Sequence, residues 1–434
     1  MSLLGLFLPG VLASCQKIDD WTEFDGKVLI IGAGAAGLYA GYLLSEKGID
    51  FQILEASNHI GGRIEQLKDF ADFAIDLGAN GLYGNYSLAS DLAHTAGAKL
   101  VQESRKRSYW QKDHFIPELP FEFIFHFDTM AEEAIDDDLT YSAYFDEYGS
   151  EEENEFFHHY AAAQAGTSPG RVSAKWEPLI KSKKSSGNGK HIFKKSCYDF
   201  LDKLLVSKVS SQVSLNTIAT HINYQENTIK VTDASGTIHE AQKVLLTVPI
   251  SVLREGAIEF TPSLPSQKLS AFNKIGMDAC IHVLLKFSAP FYPEQIIGGT
   301  TCAQYFDTTY GKEASNHVLS AVCMGVQAEK LSGLSETEIV DAIIAELDEM
   351  FEGVASSRFQ GAHVKNWWNM PHIQGAFSFC KPGHGEDARL DLAESVANKL
   401  YFAGEASHCN GHHGTVQGAF ETAYREVLKL VSDG

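Results

Sequence analysis

The chain has 434 residues, of which 44% are hydrophobic and 21% are charged, values typical of a soluble globular protein large enough to form two domains. Its formal net charge of −21 argues against nucleic acid as a partner, because phosphates would be repelled. The same charge mildly enriches cations near the surface, which suits an amine substrate without indicating one.

An apolar N-terminal stretch runs from Leu3 to Cys15 and ends in Leu-Ala-Ser-Cys, as bacterial lipoprotein signals do. In that interpretation Cys15 is lipidated and tethers an exported protein to a membrane. The stretch is too short to span a membrane as a helix and lacks the positive residues that such signals carry. The alternative is a fortuitously apolar N-terminus on a cytoplasmic protein, and the sequence leaves both open.

The seven cysteines include no Cys-x-x-Cys pair. Beyond Cys15, the other six are scattered, and the sequence favours buried free thiols over a disulfide framework.

The first predicted element is a nucleotide-binding unit. Residues 28–31 form a continuous apolar run, typical of a buried parallel strand, and lead through Gly32-x-Gly34-x-x-Gly37 into a stretch with helical spacing. Gly32 allows the turn, Gly34 lets the backbone approach a pyrophosphate, and Gly37 lets the helix pack closely on the strand. A second strand delivers Glu55, whose carboxylate can accept from ribose hydroxyls and would repel a 2′-phosphate. The alternative is a glycine-rich turn without a ligand.

The middle of the chain predicts mixed strands and helices. Residues 120–205 are acidic and aromatic with helical spacing, and they include a polar stretch, 181–190, predicted as a mobile solvated loop. Strands are predicted near residues 213–215, 228–231 and 244–248, and an amphipathic helix at 336–351.

The C-terminal part predicts an apolar strand at 400–403, then Gly404-Glu405 and a closing helix from Thr415. The start of that helix is lined with glycine. Directed at a ring carbonyl, it would stabilise the negative charge of a reduced flavin, whereas the alternative is an ordinary packing helix.

Together these motifs resemble those of the flavin-containing amine oxidase family, which includes monoamine oxidases, polyamine oxidases and lysine-specific histone demethylases. The resemblance covers about residues 25 to 431. The matching pieces, all in family order, are Gly32-Ala-Gly34-Ala-Ala-Gly37-Leu, Leu54-Glu55-Ala, Gly61-Gly62-Arg63, Asp76-Leu-Gly78-Ala, Thr247-Val-Pro249, Phe260-x-Pro262-x-Leu-Pro265, Trp367 with Pro371 and Gly375, and Phe402-Ala-Gly404-Glu405-Ala.

The resemblance implies an α/β fold: a Rossmann-like FAD domain of the glutathione-reductase type with an interleaved substrate domain of mixed sheet and helices. The expected boundaries are 1–24 for the signal-like segment, then 25–80, 205–265 and 390–434 for the FAD domain, and 81–204 and 266–389 for the substrate domain.

The cofactor implied is FAD, held non-covalently because Ala376 stands where monoamine oxidases carry the cysteine that bonds the flavin. By resemblance, Glu55 holds the adenosine ribose, Arg63 the pyrophosphate, and Glu405 the ribityl or phosphate end. Ala219 would contact the adenine through its backbone, and Trp367 would lie near the flavin ring. The full set of expected cofactor-binding residues is Gly32, Gly34, Ala36, Gly37, Glu55, Ala56, Gly62, Arg63, Gly78, Ala79, Asn80, Ala219, Trp367, Gly404, Glu405, Thr415 and Val416.

The implied activity is oxidation of a small-molecule amine by hydride transfer to the flavin, followed by hydrolysis of the imine. The candidate catalytic residues are His282, Phe377, Thr415, Trp367 and His413. Phe377 and Thr415 take the two positions that form aromatic walls in monoamine oxidases, and His413 is expected to be a pocket residue. With no arginine clearly placed for an α-carboxylate, amino acids are the weaker substrate hypothesis.

His282 stands where the family carries a lysine that holds a water near flavin N5. A histidine can hold such a water, but it is mostly uncharged at neutral pH, so slow reaction with oxygen and use of another electron acceptor are expected. The alternative is a strand histidine of no catalytic importance.

Three histidines near Glu405, namely His408, His412 and His413, have metal-type spacing, but no metal is predicted, because the family places flavin-facing backbone there. Two other functions stay open: a desaturase-like flavin dehydrogenase on the same scaffold, and an FAD-binding protein that has lost turnover. The sequence predicts no oligomeric state.

Overall fold

The computed structural model describes residues 24–433 apart from 86, 112, 120–123, 125–128, 134–137, 151–156, 158–159, 161–163, 185 and 188. The predicted signal-like stretch with Cys15 lies outside the described residues. Within the described part of the chain, none of the helices has the length and apolar character needed to cross a bilayer.

A five-stranded parallel sheet forms the centre of the nucleotide-binding region. Its strands come from distant parts of the chain, in the spatial order Val213–Ser214, Phe51–Leu54, Val28–Ile31, Lys243–Leu246 and Leu400–Phe402. The strand Val28–Ile31 is at most 4% exposed at every residue, because both faces of the sheet are covered.

Two helices cover one face of this sheet, Ala35–Glu46 and the closing helix Val416–Ser432. They pack against each other, with the Tyr39 and Phe420 rings 5.0 Å apart between centroids. This packing brings the N-terminal ends of these two helices, the first and last of the described residues, into one region of the fold. The other face meets a second apolar cluster and a four-stranded sheet ordered Ile238–Ala241, Ile229–Asp233, Ala219–Asn223 and Glu259–Thr261.

A seven-stranded mixed sheet forms the second region. Its strands lie in the order Phe359–Asn366, Cys280–Phe287, His317–Met324, Gln304–Asp307, Gln295–Ile297, Arg107–Gln111 and His114–Ile116. Alternate side chains face opposite sides. One side, with Ile281, Leu319 and Tyr305, joins an apolar core shared with the helix Glu336–Met350.

Smaller elements connect these regions. The short sheets are Gln66–Leu67 with Ile75–Asp76; Gly81–Tyr83, Lys190–Phe193 and Leu100–Gln102; and Ile275–Met277 with Ser378–Cys380. The remaining α-helices are Leu88–Thr95, Tyr141–Tyr148, Trp176–Ser182, Cys197–Leu201, Ser207–Val209, Ile250–Arg254, Ser266–Lys274, Gly325–Ser332, Val354–Arg358 and Glu386–Ala393. A π-helical turn, Asp202–Val206, and two 3₁₀ turns, Ser210–Gln212 and Glu405–Ser407, complete the described elements.

Two expectations about local structure need correction. The stretch 181–190, predicted as a mobile loop, is ordered at both ends, since Lys181 belongs to a helix and Lys190 begins a strand in a three-stranded sheet. The prediction of free thiols fails for Cys302 and Cys323, which form a disulfide, whereas Cys197, Cys280, Cys380 and Cys409 are free. Spacing along the chain does not reveal that Cys302, just before one strand, lies beside Cys323 of the neighbouring strand.

Candidate functional site

A single cavity of about 540 Å³ reaches from the parallel sheet to the seven-stranded sheet. Residues from both motif regions line it, although they are more than 350 positions apart in the chain. The expected cofactor-binding residues in its wall are Gly32, Gly34, Ala36, Glu55, Ala56, Gly62, Arg63, Gly78, Ala79, Asn80, Ala219, Trp367, Gly404, Glu405, Thr415 and Val416. Gly37 is the expected member that the cavity wall lacks.

The glycines of the first loop have two different roles: one allows close helix packing, and the other keeps space open in the cavity. A Cβ at Gly37 would collide with the carbonyl oxygen of Gly32, so Gly37 serves helix packing rather than the cavity. A Cβ at Gly34 would meet no protein atom within 4 Å, and this residue lines the cavity. The helix that follows has Gly34 as its N-cap, with no side-chain cap and no acidic residue in its first turn. Its N-terminal N–H groups are therefore suited to an anionic pyrophosphate.

Glu55 is fixed at the end of the second parallel strand. One carboxylate oxygen accepts from the backbone N–H of Ala33 at 2.6 Å, and the other accepts from the N–H and hydroxyl of Ser57 at 2.8 and 2.6 Å. The oxygen facing Ala33 has one protein donor and retains a lone pair for a hydroxyl from the cavity side. The residues present therefore fit the adenosine end of a dinucleotide.

Glu405 is placed differently from its expected role. Its first carboxylate oxygen accepts from Arg63 Nη1 at 2.8 Å and Ser378 N at 3.3 Å, and its second accepts from Ser378 Oγ at 2.6 Å and Gly414 N at 2.8 Å. These four protein donors occupy the lone pairs of the carboxylate, so Glu405 does not form the expected direct bond to the ribityl or phosphate end of the cofactor. It instead positions Arg63 and the backbone at Ser378 and Gly414.

The charge of Glu405 is secured by the same contacts. Burial alone would raise the pKa of Glu405, but the Arg63 charge and the Ser378 hydrogen bond outweigh it and hold that pKa at about 2. Arg63 also donates to the Ala376 carbonyl at 2.9 Å. Glu405 and Arg63 thus join the segment that carries Arg63 to two other segments of the site, 376–378 and 414.

His282 lies in the cavity wall, on the strand Cys280–Phe287. Its Nδ1 donates to the Leu77 carbonyl at 2.7 Å, so its Nε2 accepts from the Ser320 hydroxyl at 2.5 Å. Burial lowers the pKa of His282 to about 4, so the ring is neutral at physiological pH. Both ring nitrogens are engaged within the protein, which removes the expected water-holding role and leaves His282 to hold the Leu77 carbonyl.

Trp367 shares that carbonyl, because its Nε1 donates to Leu77 O at 3.0 Å. The segment 77–80, which carries three expected cofactor-binding residues, is therefore held by His282 of the seven-stranded sheet and by Trp367, which follows an edge strand of that sheet. Sequence reasoning placed both side chains near the flavin but could not show that they converge on one backbone atom.

Phe377 and Thr415 lie in the cavity wall as expected. A Cβ on Gly166 would strike the Phe377 ring, and one on Gly414 would lie 3.0 Å from it, so two glycines give this ring its space. Thr415 is the N-cap of the closing helix: its hydroxyl accepts from Gly418 N at 3.1 Å and donates to the His412 carbonyl at 2.7 Å.

His413 is not a cavity residue, which corrects the expectation. Its Nε2 lies 3.0 Å from Oε1 of Glu177, and both side chains are 1% exposed. Burial, together with the charge of Arg389, lowers the pKa of His413 to about 4. A buried carboxylate on the neighbouring helix therefore draws the ring away from the cavity.

His408, His412 and Glu421 bring metal-type ligand atoms together in the described part of the chain. The hydrogen bonds favour another role. His408 Nδ1 accepts from the backbone N–H of Asn410 and of His412, each at 3.2 Å, so its Nε2 carries the proton donated to Glu421 at 2.8 Å. His412 Nδ1 also donates to Glu421, at 2.8 Å. The cluster therefore fixes the loop before the closing helix through hydrogen bonds, and none of residues 408–413 lines the cavity.

The sequence missed one part of the cavity, namely the face of the seven-stranded sheet opposite the apolar core. In register across its strands, His282 pairs with Val322, Val322 with Gln304, Phe306 with Gln295, and Gln295 with Arg107. All of these residues line the cavity, and Glu103, Arg105 and Lys190 join them. Period-two alternation could have indicated which residues share a face, but the order of the strands could not be read from it.

Comparison with known proteins identifies the family. The chain matches the sequence model of the family described as flavin containing amine oxidoreductase over residues 35–430. It is 27% identical over 478 aligned residues to lysine-specific histone demethylase 2 of Homo sapiens, covering 100% of this chain and 57% of that protein. Polyamine oxidase 4 of Oryza sativa subsp. japonica is 25% identical over 457 aligned residues, covering 96% and 90%. The chain spans little over half the length of the histone demethylases that it matches.

The solved structure of cyclohexylamine oxidase from Brevibacterium oxydans has the same fold, with a TM-score of 0.80, 18% sequence identity, and coverage of 94% of this chain and 99% of that chain. The predicted fold class, a Rossmann-like domain with an interleaved substrate domain of mixed sheet and helices, is thereby confirmed. Because the family match extends over most of its length, the chain belongs to the flavin-containing amine oxidoreductase family, whose members are flavin-dependent enzymes.

Proposed function

We propose that this protein uses non-covalently bound FAD to oxidise an amine, giving an imine that water hydrolyses to an aldehyde. The observation that carries the proposal is the single cavity joining the glycine loop and Glu55 at one end to Phe377, Thr415 and Trp367 at the other. When bound, FAD supplies the acceptor for the hydride that leaves the carbon beside the neutral amine nitrogen.

The chain's own contribution is positioning. Phe377 offers a ring against which an amine packs, and Thr415 leaves the facing wall open. The neutral imidazole of His282 adds no charge to this part of the cavity. Hydride transfer needs an aligned C–H bond more than a strong base, so a wall of fixed, mostly neutral groups is adequate.

Two features support a dissociable cofactor. Ala376 provides no nucleophile at the position where the sequence expects a covalent linkage in monoamine oxidases. The cavity wall does contain Cys280, but burial raises the pKa of that thiol to about 12, so it stays protonated.

The test is anaerobic mixing of the purified flavoprotein with a panel of amines, polyamines and amino acids, followed by flavin absorbance. Bleaching by amines is expected. If none of the panel bleaches the flavin, amine oxidation is contradicted, and the open alternatives are a different dehydrogenase on the same scaffold or a protein that has lost turnover.

The electron acceptor is a second, separate element of the proposal. Because His282 is neutral and its ring nitrogens are occupied by Leu77 and Ser320, no fixed positive charge at this position stabilises the superoxide-like charge of oxygen attack. We infer that oxygen reoxidises the reduced protein slowly and that another acceptor serves in turnover.

Reoxidation after anaerobic reduction tests this inference. His282→Lys is expected to accelerate the reaction with oxygen by at least about tenfold, by analogy with the effect of a single electrostatic group. His282→Gln, which stays neutral, is the matched control and is expected to leave the rate slow. Equally fast reoxidation of the unaltered protein and the lysine variant would contradict the inference, and flavin content would verify that each variant is loaded.

A further inference from the structure

Four charged residues, Glu103, Arg105, Arg107 and Lys190, line the cavity at the edge of the seven-stranded sheet and in the short sheet beside it. Three are cations and one is a carboxylate. The whole chain has the opposite balance, with 35 lysines and arginines against 56 acidic residues. A local excess of positive charge inside the cavity of such an acidic protein indicates that this part of the cavity binds an anionic ligand.

The single carboxylate does not neutralise this wall. Glu103 is shared between Arg105, with which it forms an ion pair, and Lys190, whose Nζ lies 3.3 Å from it. Within the described ranges, Arg107 has no carboxylate within ion-pair distance. Two positive charges therefore remain without a carboxylate partner of their own in the wall.

Arg105 is the most deeply held of the cations, with a side chain that is 4% exposed. One Nη donates to the Asp307 carbonyl at 3.1 Å, but its buried Nε has no hydrogen-bond partner among the described residues. Burial lowers the pKa of Arg105 to about 10, although the charges of Asp307 and Glu294 act in the opposite direction. Burial deprives the Arg105 charge of stabilising solvent, and an anion bound in the cavity would stabilise that charge again.

The pKa of Lys190 also shows the excess of positive charge in this wall. Burial lowers its pKa, and the charges of Arg105 and Arg107 lower it further, against the opposing effects of Tyr83 and Asp76. The three cations therefore lie close enough to repel one another.

The distance between the cations and His282, which lies at the end of the cavity where the amine would react, determines how far apart the ligand's amine and carboxylate must be. The Arg105 guanidinium lies 5.2 Å from the centroid of the Phe306 ring, which in turn lies 6.3 Å from the His282 ring. Arg107 is four strands away from the His282 strand, which at the usual strand spacing is roughly 19 Å. If the carboxylate is on the carbon that bears the amine, it lies beside neutral His282, and Phe306 separates it from the cations. If the carboxylate is many bonds away from the amine, it reaches the cations.

We propose that the substrate of this enzyme is an amine with a carboxylate at its far end, and that Arg107, with Arg105 and Lys190 behind it, binds that carboxylate. This inference rests on the amine oxidation proposed above. It excludes diamines and polyamines as preferred substrates, because their second ammonium group would meet a positively charged wall. The glutamine side chains of Gln295 and Gln304, which line the cavity between Arg107 and His282, provide neutral hydrogen-bonding groups along the way.

The experiment compares three compounds of equal length by anaerobic flavin reduction: 8-aminooctanoate, octylamine and octamethylenediamine. A chain of this length, together with an extended Arg107 side chain, is needed to cover the roughly 19 Å between the two strands. The apparent Kd is expected to be at least about tenfold lower for the amino acid than for the diamine, a difference that corresponds to one well-formed charged contact. The isomer 2-aminooctanoate tests the position of the carboxylate and is expected to bind more weakly than 8-aminooctanoate. A series from ε-aminocaproate to ω-aminolaurate measures the preferred spacing.

Arg107→Met is expected to abolish the preference for the carboxylate over the diamine. Lys106→Met is the matched control: Lys106 and Arg107 are both exposed, but only Arg107 lines the cavity, so the preference is expected to persist in the Lys106 variant. A second readout is independent of turnover: calorimetric titration of the holoprotein with caproate, whose binding should weaken at least about tenfold in Arg107→Met.

Equal or tighter binding of the diamine, or a preference that survives Arg107→Met, would overturn this inference while leaving amine oxidation intact. Bleaching by none of the amines, with caproate still bound through Arg107, would overturn the proposed function and retain the anion site. Caproate binding that is unaffected by Arg107→Met would exclude the anion site.

Discussion

The two ends of the cavity are built in different ways. At the nucleotide end, the wall consists of backbone, glycine and one fixed carboxylate, Glu55, delivered by short contiguous motifs. At the substrate end, the wall consists of side chains from strands that lie far apart in the sequence and meet through the register of the seven-stranded sheet. The cofactor end therefore tolerates little change in shape, whereas the substrate end can change one side chain at a time.

The largest expected effects come from substituting two glycines at the nucleotide end that lie three residues apart. Gly37→Ala is expected to lower the free energy of unfolding by about 1–3 kcal/mol and to abolish FAD binding, because the new methyl group collides with the Gly32 carbonyl. Gly34→Ala should leave the stability of the apoprotein nearly unchanged, since its Cβ meets no protein atom within 4 Å, yet weaken FAD binding by at least about tenfold. Thermal unfolding without FAD and flavin titration measure the two effects. Normal FAD binding by Gly34→Ala would contradict the assignment of the pyrophosphate to this loop.

The join between the two ends depends on Glu405, whose pKa of about 2 lies below the value of 4.5 expected in the unfolded chain. A depressed carboxyl pKa stabilises the fold above about pH 4.5, and this contribution of about 3 kcal/mol is lost as the pH falls towards 2. Glu405→Gln is expected to destabilise the protein at neutral pH by about 3 kcal/mol and to flatten the acid dependence.

Urea unfolding at several pH values provides that measurement. The matched control is Glu386→Gln, which removes a partly exposed ion pair with Lys183 and is expected to cost less than about 1 kcal/mol. An unaltered acid slope in Glu405→Gln would show that Glu405 does not carry the pH dependence.

The smallest expected effect lies at Thr415, at the substrate end of the cavity and the start of the closing helix. Thr415→Val removes the N-cap hydrogen bond to Gly418 N and is expected to cost about 1 kcal/mol, whereas Thr415→Ser keeps the hydroxyl and should cost little. Equal stability of the two variants would show that the cap contributes nothing. Flavin reduction rates of the two variants would further separate the hydroxyl from the shape of the side chain.

Local patterns were sufficient for the nucleotide end. The apolar run before Gly32, the spacing to Gly37 and the acid after the second strand all act over a few residues, so their arrangement follows from local backbone geometry. The start of the closing helix was predicted for the same reason, since Thr415 is an N-cap residue followed by an amphipathic stretch.

Long-range contacts limited the rest of the prediction. The turn of His413 towards Glu177 depends on a residue 236 positions away, and the neutral, doubly bonded state of His282 depends on Leu77 and Ser320. The charged wall at Arg105 and Arg107 depends on the order of strands in a mixed sheet, which spacing along one strand does not specify. The disulfide between Cys302 and Cys323 was missed for the same reason.

The alternation along the seven-stranded sheet has a consequence for how this enzyme could change its substrate. Residues 280, 282, 304, 306, 322 and 324 face the cavity, while their immediate neighbours 281, 305, 321 and 323 face the core. A change at a position of the first set therefore alters the cavity more than the core on the other side of the sheet. A one-residue insertion in any of these strands would exchange the two sets at once, and such length changes should be absent from functional descendants.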